Sequence, residues 1–451
     1  MTTDTLPNID FTGALDPRLA LIDFHQANAH TLSTLTQQAL DTATQFLDTI
    51  EQNKPATTAK DALDIIHTFD ALNAKIERYF GILSHLNSTA STDAIRHAHH
   101  EILPKISAFG TKVGQSAALY ALYRLAYDGF DTLSLPNTLH NQAQKQALKK
   151  ALQSFELSGV ALDDNKKARF ADIQSQLSLL SAKFADNVLD ATASFWLPLT
   201  QEQLSGLSDG GLALLKAAGE RYKANHPTAD MPSDYVATLD MPCYLAVIQF
   251  ADDRALRETL YHAYHTRASD MATFDAQTYD NSDILTQIIA LRTQKAQLLG
   301  FDDYTQYSLA TKMADSSTEV ESFLLSLSAS AKPVAQKELD ELTAFARTLG
   351  IDELQPWDVA YVSEKLRHAK FSLTQDELRP YFPLPTVLLG LFDICQTLFG
   401  IHIKAVDSAH IPVWHEDVLF FTLHDTKTEA LLGGVYLDLF ARAGKRGGAW
   451  L

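Results

Sequence analysis

The chain has 451 residues, 46% hydrophobic and 20% charged, the balance of an ordinary globular protein and not of a disordered or fibrous one. Its 37 Lys and Arg stand against 55 Asp and Glu, a net charge of −18, which repels phosphate backbones and argues against nucleic-acid binding. Two cysteines, Cys243 and Cys395, are too few and too far apart for a disulfide framework. The opening Met1–Phe11 has neither the basic nor the apolar region of a secretory signal, and no apolar run nears the roughly 18 residues a membrane helix needs. These features predict a cytoplasmic protein with no membrane partner.

Helical spacing dominates the chain order. Ala, Leu and Gln fill Leu19–Glu51, Ala59–Phe80 and Thr92–Tyr127, which predicts long antiparallel helices, one of them interrupted at Pro104. From Asp163 to Asp190, Phe170, Ile173, Leu177, Leu180, Phe184 and Val188 step by three and four, the mark of an amphipathic helix. A second such stretch is Asn281–Leu299, with Gly300 where a helix C-terminus favours glycine. A third is Glu319–Phe345, through Val320, Phe323, Leu324, Leu327 and Val334, with a kink or restart expected at Pro333. Strand signals are fewer: Ala193–Leu199, Tyr235–Leu239, and then Val418–His424 and Leu431–Phe440, which the turn Asp425–Thr428 would join as a hairpin. The predicted fold is mainly α, with long antiparallel helices and a small antiparallel sheet or hairpin near the C-terminus. The expected division is an N-terminal helical region, 1–190, and a second helical region carrying the small sheet, 191–451.

Sixteen histidines invite a search for the helical zinc motif H-E-x-x-H, which sets two imidazoles one turn apart with a carboxylate between them. It is absent. His100-Glu101 continues as Ile102-Leu103-Pro104 and His415-Glu416 as Asp417-Val418-Leu419, so each lacks the second histidine. The run His97-Ala98-His99-His100-Glu101 reads as a helix surface and not as a metal site. Arg254, Arg257 and Tyr261–Arg267 fall on one expected helix, with aromatic and basic groups on the same side. Gly444-Lys445-Arg446-Gly447-Gly448 lacks the spacing of a phosphate loop, so Lys445 and Arg446 read as turn residues in a basic patch.

Gly433-Gly434 within the last predicted strand admits two readings. Glycine weakens a strand unless a bulge is needed or another backbone must come close, and close approach suits a peptide laid along a sheet edge. Gly433, Gly434 and Tyr436 are therefore the candidate substrate-binding residues.

Several stretches together resemble the thimet oligopeptidase family of zinc metallopeptidases. They are Met231–Tyr235 with Thr238–Pro242 and Asp253–Glu258; Leu298–Phe301 with Ser308–Ala314; Trp357-Asp358 with Ser363–Arg367 and Leu378–Pro383; and Val413–Val418 with Gly434–Arg442 and Gly444–Trp450. The resemblance implies a cytoplasmic zinc endopeptidase that cuts short peptides inside a channel, with the long antiparallel helices in two blocks around it. It also implies zinc held downstream of the Gly444–Trp450 segment, by an H-E-x-x-H helix and a later glutamate. The expectation is thus an N-terminal part of such an enzyme, inactive alone, with no catalytic residue and no metal ligand among its own positions. Zinc would serve the complete enzyme, oligopeptides would be its substrates, and a missing C-terminal segment its partner. Trp450 and Leu451 would extend an exposed apolar patch beyond the hairpin. The competing reading is a non-catalytic peptide-binding protein whose contact surface is Gly433-Gly434 with Arg442, Lys445 and Arg446.

Overall fold

The computed structural model describes residues 9–10, 19–53, 56–133, 136, 138–274, 276–372, 375–407 and 410–448. Helices dominate it, as the spacing predicts. The first is α1, Ala29–Gln52, and it starts ten residues later than Leu19 because Asn28, in an extended conformation, caps it by accepting from the Thr31 N–H. Thr58 does the same for α2, Ala59–Thr89, through the Asp61 N–H.

The stretch Thr92–Tyr127, expected to be interrupted at Pro104, is two helices divided elsewhere, α3, Asp93–Gln115, and α4, Ala117–Asp128. The break falls at Ser116, whose extended backbone leaves the helix and whose hydroxyl accepts from the Leu119 N–H to start the next one. Pro104, by contrast, does not interrupt α3. It removes one N–H donor, and the flanking turns stay held by their buried residues Ile95, Ala98 and Ile102. α5 spans Leu139–Leu157 and α6 Asp164–Ser194. Because α6 runs to Ser194, the strand expected from Ala193 shortens to β1, Trp196–Pro198.

After β1 come α7, Asp209–Asn225, and β2, Val236–Thr238, which pairs antiparallel with β1 through Trp196–Thr238, Leu197–Ala237 and Pro198–Val236. Then follow α8, Met241–Phe250, α9, Arg254–Thr266, α10, Ala276–Tyr279, α11, Ser282–Leu298, and α12, Tyr304–Leu309. Gly300 follows α11 with φ +84°, the left-handed C-terminal position that glycine takes without strain. The next helix, α13, spans Ser317–Thr348 and passes through Pro333 without restarting. α14, Pro356–Phe371, α15, Gln375–Leu378, and α16, Leu384–Phe399, lead into β3, Ile401–Val406, β4, Leu419–Asp425, and β5, Leu431–Leu437.

The described chain forms two compact units, one built on Ile22–Phe184 and Asp283–Val320, the other on Ala185–Ser282 and 321–448. Each has its own core. In the first, Leu47, Ile66, Phe69, Leu119 and Leu122 pack where α1, α2 and α4 meet. In the second, Leu199, Leu215, Val247, Leu256 and Leu260 pack around α7, α8 and α9. Full burial of one such leucine is worth about 1.5–3 kcal/mol.

Candidate functional site

The three-stranded sheet runs in the order β3-β4-β5, antiparallel throughout, so β5 is an outer strand. The hairpin turn is built by Asp425. Its Oδ1 accepts from the N–H groups of Lys427 at 3.0 Å and Thr428 at 2.8 Å and from the Thr428 hydroxyl at 2.8 Å. These bonds, led by the Thr428 N–H, hold the Asp425 carboxyl below the usual carboxylate range. Sequence analysis missed β3, although Ile401-His402-Ile403-Lys404 alternates apolar and polar residues with the period of a strand.

All three candidate residues lie on β5. The register passes from Leu423–Gly433 to His424–Leu431, so a bulge with Leu432 as the extra residue sits immediately before the glycines. Gly434, opposite Thr422, has a second role: a Cβ there would come within 2.5 Å of the Phe420 ring, which is buried beneath it. Gly433 faces open space. Tyr436 packs its ring on Phe420 at 4.5 Å and Trp414 at 5.1 Å, and its hydroxyl donates to the Pro412 carbonyl. Burial pushes its phenol up to about 12. On the opposite face Phe421 meets Phe392 of α16 edge-on at 5.0 Å. The side chains of Phe420, Phe421 and Tyr436 are thus committed to packing, while Leu432 of β5 stays exposed.

The basic segment after β5 is not a free patch. Arg442 reaches Asp438 with two nitrogens, at 2.6 and 2.7 Å, and Lys445 meets the same carboxylate at 2.9 Å. The Trp414 indole donates to it as well. Burial alone would raise the Asp438 pKa, but the bonds from Arg442, Lys445 and Trp414 outweigh it and hold the carboxyl far below the usual range. Arg446 pairs with Asp186 at 3.1 Å. The reading of Arg442, Lys445 and Arg446 as a contact surface is corrected accordingly: these cations neutralise internal carboxylates and fix the chain as it leaves the strand. Leu432, Leu439 and Phe440 are exposed beside them. Trp450 and Leu451 lie outside the described residues.

The aromatic and basic helix α9 turns out to be scaffold. Arg254 and Arg257 converge on Asp358 of α14, at 2.7 and 2.9 Å, with Arg257 and Asp358 fully buried. The Arg257 guanidinium also lies 4.0 Å from the centre of the Tyr361 ring, and the Tyr361 hydroxyl donates to Asp252. Tyr264 stacks on Tyr244 of α8 at 4.2 Å, and His262 packs on Trp357. The signal for this network was present in the spacing of Arg254, Arg257 and Asp358, but no local pattern says that three charges meet in a core.

In α3, His99 is buried and stacks on Phe80 at 5.3 Å, while His97 lies exposed. His415 turns its Nδ1 back to the Asp417 N–H. Among the described residues no group of three or more His, Cys, Asp or Glu is placed to hold a metal ion. No described helix is long and apolar enough to cross a membrane.

Comparison with known proteins places this arrangement. The family model for peptidase family M3 matches residues 247–451, and that for the neurolysin/thimet oligopeptidase N-terminal domain matches residues 36–167. The chain is 41% identical over 424 residues to oligopeptidase A of Escherichia coli, covering 94% of this chain and 59% of that protein. With a probable cytosolic oligopeptidase A of Arabidopsis thaliana it shares 33% identity over 451 residues, covering 99% of this chain and 60% of the relative. With saccharolysin of Saccharomyces cerevisiae the figure is 24% over 430 residues, covering 93% and 57%. The chain is mainly helical, and both of its parts resemble peptidases: residues 247–451 those of family M3, residues 36–167 the N-terminal domain of the neurolysin/thimet oligopeptidases. The chain spans about three fifths of the length of these relatives.

Proposed function

We propose that this chain is the peptide-handling part of a cytoplasmic zinc-dependent oligopeptidase and that it receives an extended peptide along the outer edge of β5. The observation that carries the family reading is the pair of matches, 36–167 and 247–451, combined with 41% identity to an oligopeptidase A over nearly the whole chain. What supports the edge is its chemistry. A strand on the outside of a sheet keeps one row of N–H and C=O groups available, and a peptide added there is held by main-chain bonds that tolerate many side chains. Gly433 adds no side chain to that strand, and a Cβ there would meet nothing within 4 Å.

Bound metal in an enzyme of this class polarises the peptide carbonyl and lowers the pKa of the attacking water. Among the described residues no group of three or more His, Cys, Asp or Glu is placed to hold it. The part assigned to the chain on this reading is to bind and align the substrate, without hydrolysing it alone. Calorimetric titration with an unstructured peptide of about ten residues tests the edge. Saturable binding is expected, lost when alternate peptide nitrogens are methylated but changed less than about tenfold by side-chain swaps. Binding that ignores methylation, or no binding, overturns the assignment.

A further inference from the structure

Lys295 of α11 is only 9% exposed, and what surrounds its charge is aromatic. The ammonium lies 5.3 Å from the centre of the Phe170 ring of α6 and 4.7 Å from that of Tyr307 of α12. One turn earlier on α11, the exposed Arg292 holds its guanidinium 5.1 Å from the centre of the Tyr304 ring, and the two tyrosine rings are 5.5 Å apart. Among the described residues no carboxylate pairs with either cation. Asp172 of α6 is taken by Arg169, which also holds Gln294 of α11.

Buried charges in proteins are as a rule paired, and like charges three residues apart on a helix repel. The ring faces attract both cations without neutralising either. What the arrangement lacks is an anion. Burial, reinforced by Arg292, pushes the Lys295 ammonium down to about 8. Near that pH about half the chains carry a free amine there, against about one in 250 for an ordinary exposed lysine.

We propose that Lys295 is a site for carbon dioxide, at which its Nζ forms a carbamate that pairs with Arg292. Size and charge select the reagent, because a nearly buried nitrogen between aromatic rings admits a small, linear, uncharged electrophile more readily than a bulky or ionic one. The Nζ lone pair bonds to the carbon, one C=O bond opens onto its oxygen, and one Nζ proton passes to water. Amine and carbon dioxide thus give carbamate and a proton, with no oxidant or reductant. The product replaces two repelling cations with an anion beside a cation. All four elements of the argument, α6, α11, α12 and their rings, lie within the first compact unit, so the proposal stands apart from the reading of β5.

The test uses the whole chain with its lysine Nζ carrying heavy nitrogen, held at about pH 8 in bicarbonate carrying heavy carbon, which supplies labelled carbon dioxide. A carbamate carbon resonance split by its bonded nitrogen is expected. Trapping with a trialkyloxonium salt and peptide mass spectrometry should then place the carbamate on Lys295 at least tenfold above every other lysine. At fixed dissolved carbon dioxide the yield should fall at least tenfold from about pH 8 to about pH 6.5, as the amine takes up its proton. Lys295→Arg should abolish the signal. Arg292→Gln, at an exposed position, should leave the helical circular dichroism unchanged and lower the yield at least threefold. Absence of a split resonance, or trapping spread evenly over the lysines, overturns the proposal. An unsplit signal that survives Lys295→Arg overturns it as well and means that bicarbonate is held as an ion. A yield unaffected by Arg292→Gln overturns the pairing on which the proposal stands.

Discussion

Phe420 decides what Gly434 is for. Its ring occupies the space where a Cβ at 434 would project, at 2.5 Å, whereas a Cβ at Gly433 meets no atom within 4 Å. Gly434→Ala should therefore cost about 1–3 kcal/mol through overpacking, and Gly433→Ala no more than about 0.5–1 kcal/mol. Thermal melts of the two variants check this, and equal losses would refute the packing account of the pair. Lys295 supplies a different residue-scale test. It is nearly buried, with its ammonium 5.3 Å from the centre of the Phe170 ring and 4.7 Å from that of Tyr307. Burial, reinforced by Arg292 on the same helix, pushes it down to about 8. An unfolded lysine titrates near ~10.4, so between these values the unfolded chain binds more protons and stability rises with pH. Urea midpoints should climb from about pH 8 to about pH 10 in the wild type, and Lys295→Met should flatten that climb. A climb that survives the substitution would assign it elsewhere.

At the scale of elements, the tie between α9 and α14 is the Arg254–Asp358–Arg257 cluster, with Asp358 and Arg257 out of solvent. Burial alone would raise the Asp358 pKa, but the two guanidiniums outweigh it and lower it, so the carboxylate is the charged hub. Asp358→Asn leaves Arg257 buried without its countercharge and should destabilise by about 3–5 kcal/mol in urea unfolding. A loss below 1 kcal/mol would mean that the cluster relaxes into water. What the sequence discloses about elements follows the same physics. Long helices were legible because Phe170, Ile173, Leu177 and Leu180 repeat at a period that only a helix satisfies. The ends were less so, because Ser116 and Asn28 act through single side-chain bonds that spacing does not register. Pro104 and Pro333 were expected to break helices whose neighbouring turns tolerate one missing N–H. In the sheet, Gly433 and Gly434 were visible as exceptions, but the buried ring that explains one of them lies on another strand. Arg442 and Lys445 looked like surface charge because Asp438, which they neutralise, is silent until the chain folds.

For the whole molecule, the apolar residues tell two stories. Those of α1, α2, α4, α8 and α9 close two cores, while those of residues 321–340 in α13 and of one side of α16 remain in water. The chain, similar to family M3 over residues 247–451, spans about three fifths of the length of its relatives and keeps β5 as an outer strand of its sheet, the edge proposed to take a peptide. The most direct measurement is hydrolysis of a quenched fluorescent oligopeptide by the purified 451-residue chain with zinc supplied, alone and then with the unmatched part of the Escherichia coli oligopeptidase A. The account predicts no turnover by the chain alone and chelator-sensitive turnover in the mixture. Turnover by the chain alone, with zinc retained in stoichiometric amount and activity abolished by a chelator, would contradict it.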